Sequence, residues 1–136
     1  MKVLSVDYGD VRTGIAMSDA RGILASPFCV IEESYQPKLV DRIVQIVEEN
    51  KIEKIVIGLP RNMDGSYGYR CDECRSLGDA IIEKIDVDIF YEDERLTTVM
   101  AHNVLSDNNV RGKKRKQTVD AVSAVMILQS FLDKNR

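Results

Sequence analysis

Histidine is almost missing from this chain of 136 residues, because His102 is the only one. Catalysis by a Ser-His-Asp or Cys-His arrangement would therefore have to use His102. That residue lies in a helical pattern with no marked nucleophile beside it, so we set this chemistry aside. Cysteine is also scarce, and three residues without a secretion signal argue against a disulfide scaffold.

Two of the cysteines, Cys71 and Cys74, form the CxxC sequence CDEC. A zinc site would need two further ligands, and the chain has no second CxxC and a single histidine. A thioredoxin-like redox pair is the alternative, but the segment has the pattern of the start of an amphipathic helix. We therefore predict two ordinary helix cysteines and leave a redox role open.

Long hydrophobic runs are missing as well, and none could cross a bilayer. The first residues, MKVLSVDYG, reach charged residues too early for a signal peptide. We expect a cytoplasmic protein without a membrane partner. The length fits one domain over residues 1–136, and 44% hydrophobic and 30% charged residues are typical of a globular protein.

Positive charge is not in excess, since 19 basic residues stand against 22 acidic ones for a net charge of −3. The whole chain therefore lacks the charge of a typical nucleic-acid binder. The segment RGKKRK, residues 111–116, is the exception, with basic side chains at all but one position. Exposed charges act over about 8–10 Å, so this segment can attract phosphate even on an acidic protein.

Hydrophobic periodicity predicts three strands, followed by helices that alternate with two more strands. We interpret the basic segment as a loop before the last helix. The predicted fold is α/β, with a mixed five-stranded sheet whose first three strands are antiparallel, followed by parallel crossovers and flanking helices. The predicted strands are Lys2–Asp7, Thr13–Asp19, Ser26–Glu32, Lys54–Pro60 and Val87–Asp93, and the predicted helices are Pro37–Asn50, Tyr69–Ile85, 97–108 and Gln117–Leu132.

Carboxylates follow the carboxyl ends of predicted parallel strands, where ligands of open α/β sheets gather. Asp7 ends the first strand, whereas Asp93 and Glu94 follow the fifth, and Asp120 opens the last helix. Taken alone, Asp7 could accept hydrogen bonds in a turn near Gly9. Asp120 could complement a helix dipole, an effect of about 0.3–1 kcal/mol.

Together, these acids favour a metal site. Converging carboxylates repel one another unless a cation neutralises them. Oxygen ligands suit Mg²⁺ or Mn²⁺ rather than zinc. Two such ions about 3.5–4 Å apart can activate water and stabilise the leaving oxygen of a phosphodiester. The residues alone do not decide between Asp93 and Glu94.

Four motifs resemble the YqgF/RuvX family of RNase H-like proteins, which comprises pre-16S rRNA nucleases and homologues of Holliday junction resolvases. They are DYGDVRTGIAMSD, GLPRNMDGS, DERLTT and KKRKQTVDAVSAVMILQSFL, in the family's order. The resemblance implies an RNase H-like fold and a metal-dependent nuclease. It assigns the catalytic and metal-binding acids to Asp7, Glu94 and Asp120.

The same resemblance implies substrate-binding positions around the acids, including the loop with Gly58 and Gly65. The alternatives are a glycine-mediated turn for that loop and weak surface ion pairs for the arginines. We add the basic segment, on the grounds of its charge. The candidate substrate-binding residues are Arg12, Arg61, Asn62, Arg95, Lys113, Lys114, Arg115 and Lys116.

Several functions are compatible with these residues. The favoured one is maturation of the 5′ end of pre-16S rRNA, with ribosomal precursor particles as partners and a monomer or homodimer as the active form. A non-catalytic ribosome-assembly factor would bind RNA through the basic segment alone. A Holliday junction resolvase would act on branched DNA and need a dimer with two sites. DxGxxxxGxA also resembles the phosphate-binding turn of actin-like phosphotransferases, which need a second domain.

Overall fold

The computed structural model describes residues 1–60, 68–93 and 112–135, the side chains of residues 112–120 excepted. Eight helices and strands lie within these ranges. The strands are β1 (Val3–Asp7), β2 (Arg12–Ser18), β3 (Ala25–Glu32), β4 (Lys54–Leu59) and β5 (Asp88–Asp93), and the helices are α1 (Gln36–Asn50), α2 (Tyr69–Ile82) and α3 (Gly112–Lys134).

The five strands form one mixed sheet in the order β3-β2-β1-β4-β5. β2 pairs antiparallel with both β1 and β3, whereas β4 pairs parallel with both β1 and β5. Short connections suffice for the antiparallel pairs, but parallel strands need a crossover, which α1 and α2 provide. The predicted α/β fold with an antiparallel start and parallel crossovers is confirmed.

Alternation along the strands divides the core into two clusters, one on each face of the sheet. On β1, Leu4 and Val6 pack with apolar residues of α1 and α2. Val3, which precedes Leu4 and lies on the other face, packs with Ile127 and Leu128 of α3. The sheet is thus covered by α1 and α2 on one face and by α3 on the other.

The helices over the first face follow the sequence closely. α1 has Pro at its first turn, its apolar residues recur at helical spacing, and it ends where Lys51 adopts a left-handed conformation with a φ of 54°. α2 starts at Tyr69 as predicted but ends at Ile82, three residues early. Among the described residues, no helix combines the length and apolar character needed to span a membrane.

The basic segment was predicted as a loop, and this is wrong from Gly112 onward because α3 begins there. Lys, Arg and Gln lose little rotamer freedom in a helix and favour it, so nothing in KKRKQ stops the helix. Asp120 therefore lies about two turns inside α3, not in its first turn. The helix-dipole interpretation loses its basis, because that effect falls off within one turn. The helix predicted at 97–108 lies outside the described residues.

Candidate functional site

Asp7 is the last residue of β1 and is partly buried. Its Cα partner on β2 is Gly14, and the preceding residue, Val6, pairs with Ile57 of β4. Because strand side chains alternate, Asp7 shares the face of Val3 and Ser5, which α3 covers. The carboxylate predicted to hold a metal thus stands at the carboxyl end of a central strand, beneath α3.

A buried hydrogen bond fixes α3 over β1. The Ser5 hydroxyl donates to the Ala124 carbonyl at 2.7 Å. At the other end of β1, Val3 lines a cavity of about 210 Å³ together with Phe131 and Leu132. α3 therefore runs antiparallel to β1, and residues before Ala124 extend toward the end of the strand that carries Asp7.

This register brings the backbone of Asp120 to the same end of the sheet. Its Cα lies four residues, about 6 Å along the helix axis, before that of Ala124 and on the same side of α3. Two residues along β1, from Ser5 to Asp7, advance about 6.6 Å in the same direction. The backbones of Asp120 and Asp7 therefore lie at similar distances from the Ser5–Ala124 hydrogen bond, toward the same end of the sheet.

Residue Glu92 attaches β5 to the same helix. The Glu92 carboxylate, which is buried, accepts hydrogen bonds from the Ser130 hydroxyl and the Lys134 ammonium, both at 2.7 Å. The bond and the opposite charge raise the pKa of Lys134 above its usual value. Glu92 thus holds the carboxyl end of β5 against the last turns of α3.

Asp93 lies on the opposite face from Glu92. Ile89 and Tyr91, four and two residues before it, pack on the core that α1 and α2 cover. Strand alternation puts Asp93 with them, away from the face of Asp7. The structure therefore separates Asp93 from Asp7 by the thickness of the sheet, and Glu94 lies outside the described residues.

The turn after Asp7 is tight. A side chain at Gly9 would put its Cβ 2.1 Å from the Arg12 carbonyl oxygen, so no larger residue fits without moving the backbone. The Gly9 amide donates to the Thr13 hydroxyl at 3.4 Å. Arg12 begins β2, two residues before Gly14, and so shares the face of Asp7.

Some of the remaining candidate positions lie within the described residues and the others lie outside them. The backbone of the basic residues forms the first turns of α3. Gly58 is within β4, at the register of Glu92. Outside the described residues are Arg61, Asn62, Gly65, Glu94 and Arg95. The described basic positions are Lys113, Lys114, Arg115 and Lys116.

Both cysteines of the CxxC are buried in α2. The Cys71 thiol donates to the Pro60 carbonyl at 2.8 Å, and burial raises its pKa, which keeps it protonated. Within the described part of the chain, no group of three or more His, Cys, Asp or Glu could hold a metal ion. The burial of both thiols favours two core cysteines. Of the three predicted acids, only Asp7 has a described side chain.

Sequence reasoning missed two residues beside Asp7. Ser5 is a polar residue inside the apolar run VLSVD, and its spacing of two from Asp7 was a readable signal that both share a face. Arg70, in the first turn of α2, binds the turn between β1 and β2. No local signal marks that contact, because it joins residues 60 positions apart.

Comparisons with known proteins place the whole chain in one family. A family model described as "RuvX: Holliday junction resolvase" matches residues 1–134. A protein of Lactococcus lactis subsp. cremoris (strain MG1363) is 40% identical over 134 residues, which cover 97% of this chain and 94% of that protein. One of Bacillus cereus (strain G9842) is 39% identical over 135 residues, 98% of each. Both are named "Putative pre-16S rRNA nuclease".

Solved structures share the fold at low sequence identity. RuvC of Thermus thermophilus, solved in complex with a Holliday junction substrate, superposes with a TM-score of 0.63 at 12% identity and covers 99% of this chain and 96% of its own. The Holliday junction resolvase of fowlpox virus has a TM-score of 0.61 at 8% identity and full coverage of both chains. The fold is RNase H-like, as the motifs implied, and the chain belongs to the RuvX family.

Proposed function

We propose that this protein is a nuclease that hydrolyses phosphodiester bonds with divalent cations held by Asp7, Glu94 and Asp120. The observation that carries the proposal is the Ser5–Ala124 hydrogen bond, which sets α3 over β1. Because of it, the Asp120 backbone lies at the end of the sheet where β1 ends in Asp7. The backbone positions of one acid on each of the two elements therefore lie toward the same end of the sheet.

Glu94, rather than Asp93, is proposed as the third acid. The family motif DERLTT assigns the role to Glu94, and strand alternation puts Asp93 on the face of the sheet opposite Asp7. Glu94 follows β5 directly in the chain, and β1 and β5 are separated by β4 alone, so the two strands are about 9–10 Å apart.

The chemistry of these acids suits Mg²⁺ or Mn²⁺. Three carboxylates at one sheet edge would each favour protonation, unless a cation offset their repulsion. Their oxygen atoms are the ligands that these hard cations prefer. When bound, such ions activate a water molecule and stabilise the leaving oxygen of the phosphodiester.

The other proposed residues bind and orient the substrate. Arg12, on the face of Asp7, is placed to bind a phosphate next to the scissile bond as a planar, bidentate donor. We assign the same role to Arg61, Asn62 and Arg95 from the family resemblance. The basic first turns of α3 lead toward Asp120 and supply sequence-independent attraction to the backbone: Lys113, Lys114, Arg115 and Lys116.

The favoured substrate is the precursor of 16S rRNA, since the curated relatives carry that activity in their names and are about 40% identical. We accordingly propose cleavage near its 5′ end, in ribosomal precursor particles of the cytoplasm, by a single domain spanning residues 1–136. Branched DNA is the second candidate, favoured by the family's description. It requires a homodimer that presents two sites to a two-fold junction, whereas RNA cleavage needs only a monomer.

A cleavage panel tests this function. The purified protein is incubated with a pre-16S rRNA 5′ fragment, an unstructured RNA of equal length and a four-way DNA junction, with Mg²⁺, Mn²⁺ or EDTA. We expect cleavage of the precursor that depends on a divalent ion. Asp7→Asn should reduce it by at least about 100-fold, since even small misplacements in an active site cost that much.

The other outcomes of the panel each point to a defined alternative. Equal cleavage by Asp7→Asn, or cleavage in EDTA, contradicts the proposed mechanism. Cleavage of the junction alone favours the resolvase, and RNA binding without any cleavage favours a non-catalytic assembly factor.

A further inference from the structure

We propose that Arg70 is a positioning residue, which holds the turn between β1 and β2 and thereby orients the Asp7 carboxylate. The inference rests on the proposed function, in which Asp7 binds a divalent cation. It concerns a residue of α2, however, that lies outside the acidic triad and the basic segment.

Arg70 binds the turn at two points. Its Nη1 lies 2.6 Å from the Asp10 carboxylate, and its Nη2 donates to the Tyr8 carbonyl at 2.8 Å. Its guanidinium carbon also lies 5.7 Å from the centre of the Tyr8 ring. Tyr8 is the residue after Asp7, so one side chain of α2 reaches the backbone next to the proposed metal ligand.

The contact differs from an ordinary surface ion pair, which contributes little. The Arg70 side chain is 25% exposed, although that of Asp10 is 81% exposed. Its Nη1 also contacts Glu73, one turn on in α2, at 3.3 Å, which orients the guanidinium from the helix side. Burial by itself lowers the pKa of Arg70, but the Asp10 and Glu73 carboxylates raise it above its usual value, so the group stays charged.

The turn needs such a contact because it cannot pack a side chain of its own at Gly9. The close Arg12 carbonyl excludes a Cβ there, and the Gly9 amide makes a long bond of 3.4 Å to Thr13. A charge-assisted bond to the Tyr8 carbonyl is stronger and better directed than that one. Arg70 therefore ties the end of β1 to a helix on the face of the sheet opposite α3.

The test uses Mn²⁺ binding to the protein alone, followed by electron paramagnetic resonance, together with kcat and KM for the cleaved RNA. Arg70→Met is compared with Arg75→Met. Arg75 lies on the same helix, but its guanidinium is 5.2 Å from the centre of the Tyr91 ring. Both substitutions remove the same charge, so they match in net charge and helix propensity.

We expect Arg70→Met to weaken Mn²⁺ binding by about 10-fold, the usual scale for groups that orient metal ligands. It should lower kcat and leave KM for RNA within about twofold, whereas Arg75→Met should change neither constant. Arg70→Lys should fall in between, because an ammonium cannot bind Tyr8 and Asp10 in the forked geometry of a guanidinium. Asp10→Asn removes only the ion pair, and should weaken Mn²⁺ binding less than Arg70→Met does.

The controls separate this inference from the proposed function. Wild-type protein that neither binds Mn²⁺ nor cleaves RNA would overturn the proposed function. Wild-type protein that does both, with Arg70→Met equal to Arg75→Met, would overturn the positioning role alone. A raised KM with unchanged Mn²⁺ affinity would also overturn it, because Arg70 would then contact the substrate. If Arg70→Met does not fold, the Arg70→Lys and Asp10→Asn variants decide by the same criteria.

Discussion

Ser5 and Glu92 are two buried polar residues of the sheet, and each binds α3 from a different strand. Ser5 binds near the middle of the helix at Ala124, whereas Glu92 binds its last turns at Ser130 and Lys134. Buried polar groups are costly unless they are hydrogen-bonded, so these bonds select one position of α3 on the sheet. That position brings Asp120 to the end of β1.

Single residues differ in how well the sequence predicts them. The position of Asp7 at the end of a buried strand was predictable from the apolar run that precedes it. The face that Asp93 occupies was not, because a shift of one residue moves a side chain to the other face of the sheet. Only the packing of Ile89 and Tyr91 on the core of α1 and α2 fixes which face Asp93 occupies.

Asp19 provides a pH test of the described structure away from the site. Its carboxylate accepts the amide of Ile23 at 2.8 Å and that of Leu24 at 3.5 Å. The Ile23 bond is the main reason that the pKa of Asp19 is lowered from 3.8. A lowered pKa means that the folded state favours the ionised form, so the stabilisation is present above the unfolded pKa and is lost as pH falls through the folded one.

Asp19→Ala should therefore lower the melting temperature at pH 7. The difference from wild type should shrink as the pH falls below about 4, the ordinary range of an Asp carboxyl. Thermal unfolding followed by circular dichroism between pH 7 and pH 2.5 measures both proteins. A difference that stays constant over this range would show that the carboxylate charge is not what stabilises the turn.

The helix α3 is the element that the sequence described least well. Its apolar second half was predicted, but its basic beginning was assigned to a loop because charge runs resemble loops when periodicity is the only signal. Helix propensity favours KKRKQ, and α3 extends to Gly112. The strands were predicted more closely, since their apolar runs end at Gly, Pro or charged residues that also end the pairing.

A continuous α3 assigns the basic residues to different sides of one helix. Steps of 100° per residue put the helix position of Lys113 about 20° from that of Ala124 and the position of Arg115 about 180° from it, with Lys114 and Lys116 about 80° to either side. Ala124 faces β1, as its bond to Ser5 shows. We therefore expect Lys113 to matter more than Arg115 for a substrate bound at the end of β1.

Charge reversal tests this expectation with matched variants. Lys113→Glu should weaken RNA binding and reduce the slope of log K against log salt by about 0.7, that of one phosphate contact to a single strand. Arg115→Glu changes the net charge equally and should reduce the slope less. Fluorescence anisotropy at several salt concentrations measures both. Equal slopes for the two variants would contradict a one-sided interface on α3.

At the scale of the whole molecule, the topology explains why residues far apart in sequence meet. β1, β4 and β5 are parallel neighbours, so their carboxyl ends share one edge of the sheet, and α3 begins toward this edge and crosses β1 away from it. The order of elements predicted an antiparallel start with parallel crossovers. It did not predict that β4 pairs with the free edge of β1 and not with the free edge of β3, because a crossover can reach either edge of the sheet.

The central claim is that three acids from β1, the end of β5 and α3 hold a divalent cation together. The most direct measurement is Mn²⁺ affinity of the wild-type protein, by electron paramagnetic resonance, against single variants with Asp93→Asn as the matched control. The account predicts that Asp7→Asn, Glu94→Gln and Asp120→Asn each weaken binding by at least about 10-fold, whereas Asp93→Asn binds as the wild type does. Binding that survives all three substitutions, or that is lost with Asp93→Asn instead of Glu94→Gln, would contradict it.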